Sequence, residues 1–286
     1  MKLHYIQSNN LEPHKLAVCE YGNPSNQAVV LLHAFTHNAM FFDPLAKFLS
    51  EKGLYVICPD MPGRNKSEYL TNPKNYNYHL YIDDLFLILN YFKIEISSLF
   101  GNSMGGITSI LFTEKYPKMV KKIVLNDIGV VAKSEESMRI GGHVGRDFCK
   151  AEKHEMLKRI EDEFLQSKLS AEELEYIFEH YTIQNNEGFV FNYDINLGKA
   201  FWFGDKQINI PDLDFSENFG YLATTCKWLE LYVIRGRESN LLDVPNYIRL
   251  YGCKQFKASL EIPDKGHLPI FFDDPEKNTI YNWLVA

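Results

Sequence analysis

No stretch of this chain is cationic enough to offset its formal net charge of −7. The densest basic patch, KMVKK at Lys118 to Lys122, reads as the solvated start of a strand, so nucleic acid is not an expected partner. The five cysteines, Cys19, Cys58, Cys149, Cys226 and Cys253, form no CxxC pair and keep no His-rich company. Neither a metal site nor a disulfide framework is signalled, and an odd count fits reduced thiols and a cytoplasmic location. No segment approaches the ~18 apolar residues of a membrane span. The opening MKLHYIQSNNLEP lacks the apolar centre of a signal peptide. Internal repeats and low-complexity tracts are also missing, and the absences together predict a soluble protein.

What is present is a large supply of core. Hydrophobic residues make up 45% of the 286 positions and aromatics 14%, enough for one large domain or a domain carrying an insertion. Short apolar, β-branched runs recur at 28–33 (AVVLLH), 54–60 (LYVICPD), 97–101 (SSLFG), 122–127 (KIVLND), 231–236 (LYVIRG) and 258–264 (ASLEIPD). They read as buried strands. Helical patterns separate them: DPLAKFLSEKG, with Asp43 as cap, Pro44 in the first turn and Gly53 as stop, and 78–92, with Leu85, Ile88, Leu89 and Phe92 on one face. Strands alternating with helices imply right-handed crossovers and a mostly parallel sheet covered on both faces, an α/β architecture. The rhythm breaks between about Val130 and Cys226, where the chain turns polar and helix-like and shows no strong strand. The expected organisation is therefore a core of residues 1–130 and 226–286 with a helical cap inserted over 131–225.

In LFGNSMGG, Leu99 to Gly106, a serine is bracketed by glycines directly after a strand and before the helical ITSILFTEKYP. Strand, G-x-S-x-G and helix form the context of a nucleophile elbow, in which Ser103 projects from a strained turn at the top of the sheet. A plain Gly-rich turn is the competing reading. A serine hydroxyl needs a base, and His267 in DKGH, just after the last strand, is the candidate. His4, His14, His154 and His180 lie in polar or terminal stretches and read as solvated, and His79 and His143 have no supporting context. An attacked carbonyl becomes an oxyanion that needs pre-placed donors. The N–H of Met104 at the helix start and that of Phe35 in HAFTHN are the expected pair. His33 reads as a residue that orients this loop at the substrate pocket, and not as a second base.

The ordered set LLHAFTHNAMFFDPLA, DMPGRNKS, GNSMGG, LNDIG and DKGH resembles the α/β-hydrolase superfamily, in particular its helical-capped esterase, lipase and carbon–carbon hydrolase branch. The resemblance covers nearly all of the core. It implies an eight-stranded sheet, a Ser, acid, His triad in chain order, and an oxyanion hole from Phe35 and Met104. Three positions depart from the family pattern. His33-Ala34 stands where His-Gly is usual, and Asn65 stands where PGxGxS has glycine, although asparagine tolerates positive φ. In RGRESNLLD the usual triad aspartate is Asn240. Asn240 brings no charge, so the acid is expected from Asp127 at the end of KIVLND, from Glu238 or Asp243 beside Asn240, or from nowhere. Phe201, Trp202 and Phe203, with Tyr193, read either as the lining of an apolar acyl or leaving-group pocket or as the cap's own core. The expected activity is that of a serine hydrolase acting on a small carboxylic ester without metal or cofactor. Carbon–carbon hydrolysis of a diketone-like substrate, and a non-catalytic ligand-binding protein left by Asn240, stay open as alternatives.

Overall fold

The computed structural model describes all residues except 146–150, 165–166, 187, 204–205, 208–210, 268–270 and 272, and except the side chains of Ile140, Trp202 and Phe203. Cys149 lies outside the described residues. One sheet holds eight strands: β1 (Lys2–Ser8), β2 (His14–Tyr21), β3 (Ala28–Leu32), β4 (Tyr55–Pro59), β5 (Ser97–Asn102), β6 (Val120–Asn126), β7 (Glu230–Gly236) and β8 (Phe256–Ile262). Their order is β1-β2-β4-β3-β5-β6-β7-β8. β2 runs antiparallel to β1 and β4, and the remaining neighbours pair in parallel. Every residue of β3, β4 and β5 is buried, as expected for strands covered on both faces, and this is why they read as continuous apolar runs. β1, at an edge, alternates exposed and buried positions only over Tyr5–Ser8, a weaker signal that the apolar-run reading passed over.

Helices α1 (Asp43–Glu51), α2 (Tyr78–Tyr91) and α3 (Met104–Lys115) connect the strands. Asp43, the expected cap of α1, is its first helical residue instead. A short 3-10 turn over Ala39–Phe42 puts Phe42 at the cap position, and the Asp43 carboxylate accepts from Tyr21 Oη at 2.9 Å and pairs with Lys47 Nζ at 2.7 Å. α2 is capped by Asn77, whose side chain accepts from Leu80 N–H, and buries Leu85, Ile88 and Leu89 as its spacing predicts.

The chain leaves the sheet after β6 and returns through a two-residue antiparallel ladder in which Val131 and Ala132 pair with Asp214 and Leu213. Between the ladder strands lie α4 (Ser134–Gly141), α5 (Lys153–Glu163) and α6 (Ala171–Tyr181), with two short antiparallel strand pairs, Thr182–Asn185 with Gly188–Phe191 and Trp202–Phe203 with Lys206–Gln207. The strands of this segment are only two to four residues long, in keeping with the lack of a strong strand in the sequence. Its expected end at 225 is shifted, because α7 (Ser216–Thr225) packs Phe219 and Leu222, with Phe215, into the same buried cluster as Ile107 and Ile110 of α3. The inserted segment therefore closes at the ladder, and α7 covers the sheet together with α3. Helices α8 (Val244–Tyr251) and α9 (Asp274–Val285) complete the core.

His14, read from its polar neighbours as solvated, is buried beneath α2. Its Nε2 lies 2.8 Å from Asp84 Oδ2 and its Nδ1 2.8 Å from Glu12 O, while Ser8 Oγ and Asn10 Nδ2 donate to Asp84 Oδ1 at 2.6 and 3.0 Å. Both ring nitrogens face acceptors, so the imidazolium satisfies both. Burial alone would lower its pKa, but the hydrogen bond to Asp84 and the charge of that carboxylate outweigh burial and raise it. A raised folded pKa stabilises fully below the unfolded value of about 6.5, and the contribution is lost as pH rises through the folded pKa. His14→Ala is expected to cost about 3 kcal/mol at pH 6, read as a shift in the urea midpoint, with the cost shrinking toward pH 9. An equal cost at both pH values would refute the charge-based account.

Candidate active site

Ser103 stands between β5 and α3 at φ +47° and ψ −109°. Such a conformation costs a residue with a Cβ about 1–3 kcal/mol, so the surroundings must impose it. Ser103 N–H donates to Asn126 O at 3.1 Å and Ser103 O accepts from Ile107 N–H at 3.0 Å. Glycine makes the close crossing possible: a Cβ on Gly101 would lie 2.3 Å from the Gly105 carbonyl, and one on Gly105 only 2.1 Å from Leu32 O. The turn leaves Ser103 half-buried on the wall of a cavity, with Asn102 and Met104 buried on either side.

His267 follows β8 and lines the same cavity. Its Nδ1 is 2.6 Å from Asp127 Oδ2. Asp127 is the first residue after β6, fully buried, at φ +56°, with its N–H donating to Ile234 O at 2.9 Å. Its Oδ2 also accepts from Ser239 Oγ at 2.5 Å. A carboxylate against Nδ1 fixes the neutral ring as the Nδ1–H tautomer, leaves Nε2 free to accept a proton, and stabilises the imidazolium that results.

Asn240 is not part of this arrangement. It is exposed and away from the cavity lining, because its loop turns the preceding Ser239 inward to Asp127. Glu238 is likewise exposed, and Asp243 caps α8 and pairs with Lys133. Among the candidate acids only Asp127 meets His267.

Met104 N–H belongs to the first turn of α3, where backbone donors lack helical acceptors, and Phe35 lies in the loop after β3; both residues line the cavity. His33 is corrected from a pocket residue to one behind the wall. Fully buried, it donates from Nδ1 to Ala34 O at 2.7 Å and accepts from Met61 N–H at Nε2, 2.9 Å away. Ala34 O belongs to the peptide that carries Phe35 N–H, so His33 sets the plane of that donor. Burial and, secondarily, the Arg64 charge lower its pKa to about 3, and it stays a neutral scaffold.

The cavity has a volume of about 450 Å³. Its core walls are Phe35, Tyr78, Tyr81 and Ile107; the inserted segment contributes Phe164, Phe191, Tyr193 and Phe201 among others. Phe201 meets Phe35 edge to face at 5.4 Å, so of the aromatics read from the sequence Phe201 and Tyr193 line the pocket, while the side chain of Trp202 lies outside the described residues. The insertion also touches the histidine loop. Gly266 N–H donates to Ser167 Oγ at 2.8 Å, Lys168 Nζ pairs with Asp264 at 2.8 Å, and Lys265 Nζ pairs with Glu173 at 2.6 Å.

A family profile described as the alpha/beta hydrolase fold matches residues 27–274. The chain belongs to the α/β-hydrolase fold family. A relative from Cupriavidus necator named 3-hydroxybutyrate-oligomer hydrolase is 28% identical, over 91% of this chain and 89% of its own. A crystal structure of a Rickettsia typhi protein superposes with a TM-score of 0.88 at 26% identity, covering 100% of this chain and 99% of that one. An α/β hydrolase from Novosphingobium aromaticivorans gives 0.86 at 24% identity, over 99% and 98%.

Three features of this α/β-hydrolase site were not visible as motifs. Ser239 is one residue from the position that drew attention, but only the fold shows its hydroxyl on Asp127. Ser167 and Lys168 touch the histidine loop across about 100 positions of sequence, a distance no local pattern spans. Arg64, inside the PGRNKS turn, is wholly buried, and nothing in its polar neighbourhood in sequence signals that.

Proposed function

We propose that the protein is a serine hydrolase of a small carboxylic ester, working through an acyl-enzyme. The observation that carries this reading is the buried Asp127 bonded to His267 on a cavity that also holds the elbow Ser103. Ser103 Oγ attacks the ester carbonyl as its proton passes to His267 Nε2, and the carbonyl π pair moves onto oxygen, held by the N–H groups of Phe35 and Met104. Collapse of this intermediate expels the alcohol, which takes the proton from His267. Water, deprotonated by the same histidine, then attacks the acyl-enzyme and frees Ser103 and the acid. Asp127 holds the imidazole throughout.

The inserted segment acts as a cap: its aromatic side chains close one side of the cavity and select the substrate. A cavity of about 450 Å³ with mainly apolar walls suits a short acyl chain. The name of the Cupriavidus necator relative supports esters of short hydroxy acids as the substrate class. The buried Asp127 carboxylate on His267 speaks against the non-catalytic alternative, which rested on Asn240.

The test is a series of p-nitrophenyl esters from acetyl to decanoyl, run beside the linear dimer of 3-hydroxybutyrate, with a fluorophosphonate probe to find the nucleophile. Expected results are hydrolysis that peaks at short chains and a covalent adduct on the Ser103 peptide. A chain that hydrolyses none of these esters and stays unlabelled refutes the reading.

A further inference from the structure

Arg64 is among the largest fully buried side chains of the molecule, at 0% exposure. Its guanidinium donates from Nε to Phe35 O at 2.8 Å and from Nη1 to Pro62 O at 2.6 Å and Tyr81 Oη at 3.0 Å, and its Nη2 lies 3.5 Å from Met104 Sδ. The rings of Phe35, Tyr81 and Tyr76 stand 5.1, 5.4 and 5.8 Å from its centre. Every one of these partners is neutral. Asp194, across the Tyr76 ring, accepts the Tyr76 hydroxyl and the Asn196 N–H instead, and Asp60 accepts from Ala39 N–H and Asn65 Nδ2. Among the described residues no carboxylate pairs with Arg64.

A buried charge surrounded only by dipoles is destabilising, since water has been removed and no counter-ion replaces it. Its neighbours show where a negative charge would complete it. Two of its partners, Phe35 and Met104, are the residues whose N–H groups form the oxyanion hole of the reading above, and four of them, Phe35, Tyr76, Tyr81 and Met104, line the cavity. In the resting site the negative charge is absent. It exists on the substrate oxygen only in the tetrahedral intermediate, after Ser103 Oγ has bonded to the carbonyl carbon and its proton has moved to His267. A fixed positive charge in a low-dielectric wall acts selectively on that state and needs no reorganisation when it forms.

We propose that Arg64 is the positioning residue of the oxyanion hole, holding the Phe35 loop by its carbonyl and supplying an unneutralised positive charge behind Phe35 and Met104. The inference rests on the ester-hydrolase reading. Shape and charge separate in two variants, because Arg64→Lys keeps the charge and loses the planar fork, whereas Arg64→Met keeps much of the bulk and loses the charge.

The experiment measures kcat and KM on p-nitrophenyl butyrate, together with inhibition by a trifluoromethyl ketone and by the matching methyl ketone. The fluorinated ketone adds Ser103 Oγ and carries the oxyanion, whereas the methyl ketone binds as a ground-state carbonyl. Arg64→Met is expected to lower kcat at least 100-fold with KM within threefold, and to lose trifluoromethyl ketone affinity by a similar factor while the methyl ketone is unaffected. Arg64→Lys stays within tenfold of wild type in kcat. Equal losses in the two variants, or unchanged trifluoromethyl ketone affinity in Arg64→Met, overturn the role of the charge. If Arg64→Met does not fold, Arg64→Gln, which retains a donor for Phe35 O, carries the same expectation. If neither folds, the wild-type complex decides: its hemiketal, followed by fluorine NMR, is half-protonated below pH 6 if the proposal holds, and a midpoint at or above pH 6 overturns it. Wild-type protein that neither hydrolyses the ester nor binds the fluorinated ketone overturns the ester reading itself, and the role of Arg64 with it.

Discussion

Ser103→Ala lowers kcat about 10⁶-fold while leaving the melting temperature within about 2 °C of wild type. The activity loss follows from removing the atom that forms the acyl bond. The unchanged stability follows because alanine keeps the Cβ, and with it the cost of φ +47°. Ser103→Gly separates the two effects further. Relief of about 1–3 kcal/mol of backbone strain, less the 0.5–1 kcal/mol of extra freedom that glycine has in the unfolded chain, leaves a gain of about 1 kcal/mol in a protein that is equally inactive. Ester turnover and calorimetry on the two variants check both halves. A tenth of wild-type kcat surviving in Ser103→Ala, a barrier change of only about 1.4 kcal/mol, would remove Ser103 as nucleophile.

Asp127→Asn is expected to lower kcat about 10⁴-fold, or roughly 5.5 kcal/mol in barrier height, at nearly constant KM. The asparagine fits the space, but its NH₂ can face His267 Nδ1 and favour the wrong tautomer, and it leaves the imidazolium without a counter-charge. The companion change Asn240→Asp should alter kcat/KM less than twofold, since position 240 is exposed and away from the cavity. A loss under tenfold at Asp127 combined with a hundredfold gain at Asn240 would put the acid back in the loop after β7.

The strands of the sheet centre were legible because burial on both faces leaves a continuous apolar run, and Val29, Val56 and Leu99 could hardly have belonged anywhere else. Ser103 was legible because an elbow needs glycine at fixed offsets. What stayed hidden depends on contacts distant in sequence. The polar residues around His14 say nothing of Asp84, 70 positions away, which draws it inside. Asn240 occupies the place where the family resemblance implied an acid, so the sequence raised the question without deciding it; the sheet order, which sets β6 between β5 and β7, is what brings Asp127 to the histidine. The placement of α7 was misread for a related reason, since a mixed apolar face such as that of Phe219 and Leu222 suits a cap and a core helix equally well.

The two-residue ladder of Val131–Ala132 with Leu213–Asp214 has a consequence in polymer terms. It fixes the two ends of a segment of about 80 residues side by side, at the spacing of ordinary strand partners. The entropy of closing a loop grows only as the logarithm of its length, so replacing these 80 residues by a turn of about four would recover just ~2.7 kcal/mol of closure cost. No strand of the eight-stranded sheet lies between the ladder strands, and β5 and β6, which lead into Ser103 and Asp127, are complete before the ladder opens. In chain-entropy terms alone the enclosed segment can lengthen or shorten cheaply, and what ties it in place is contact with the core, such as Gly266 N–H on Ser167 Oγ and Asp194 N–H on Gly63 O.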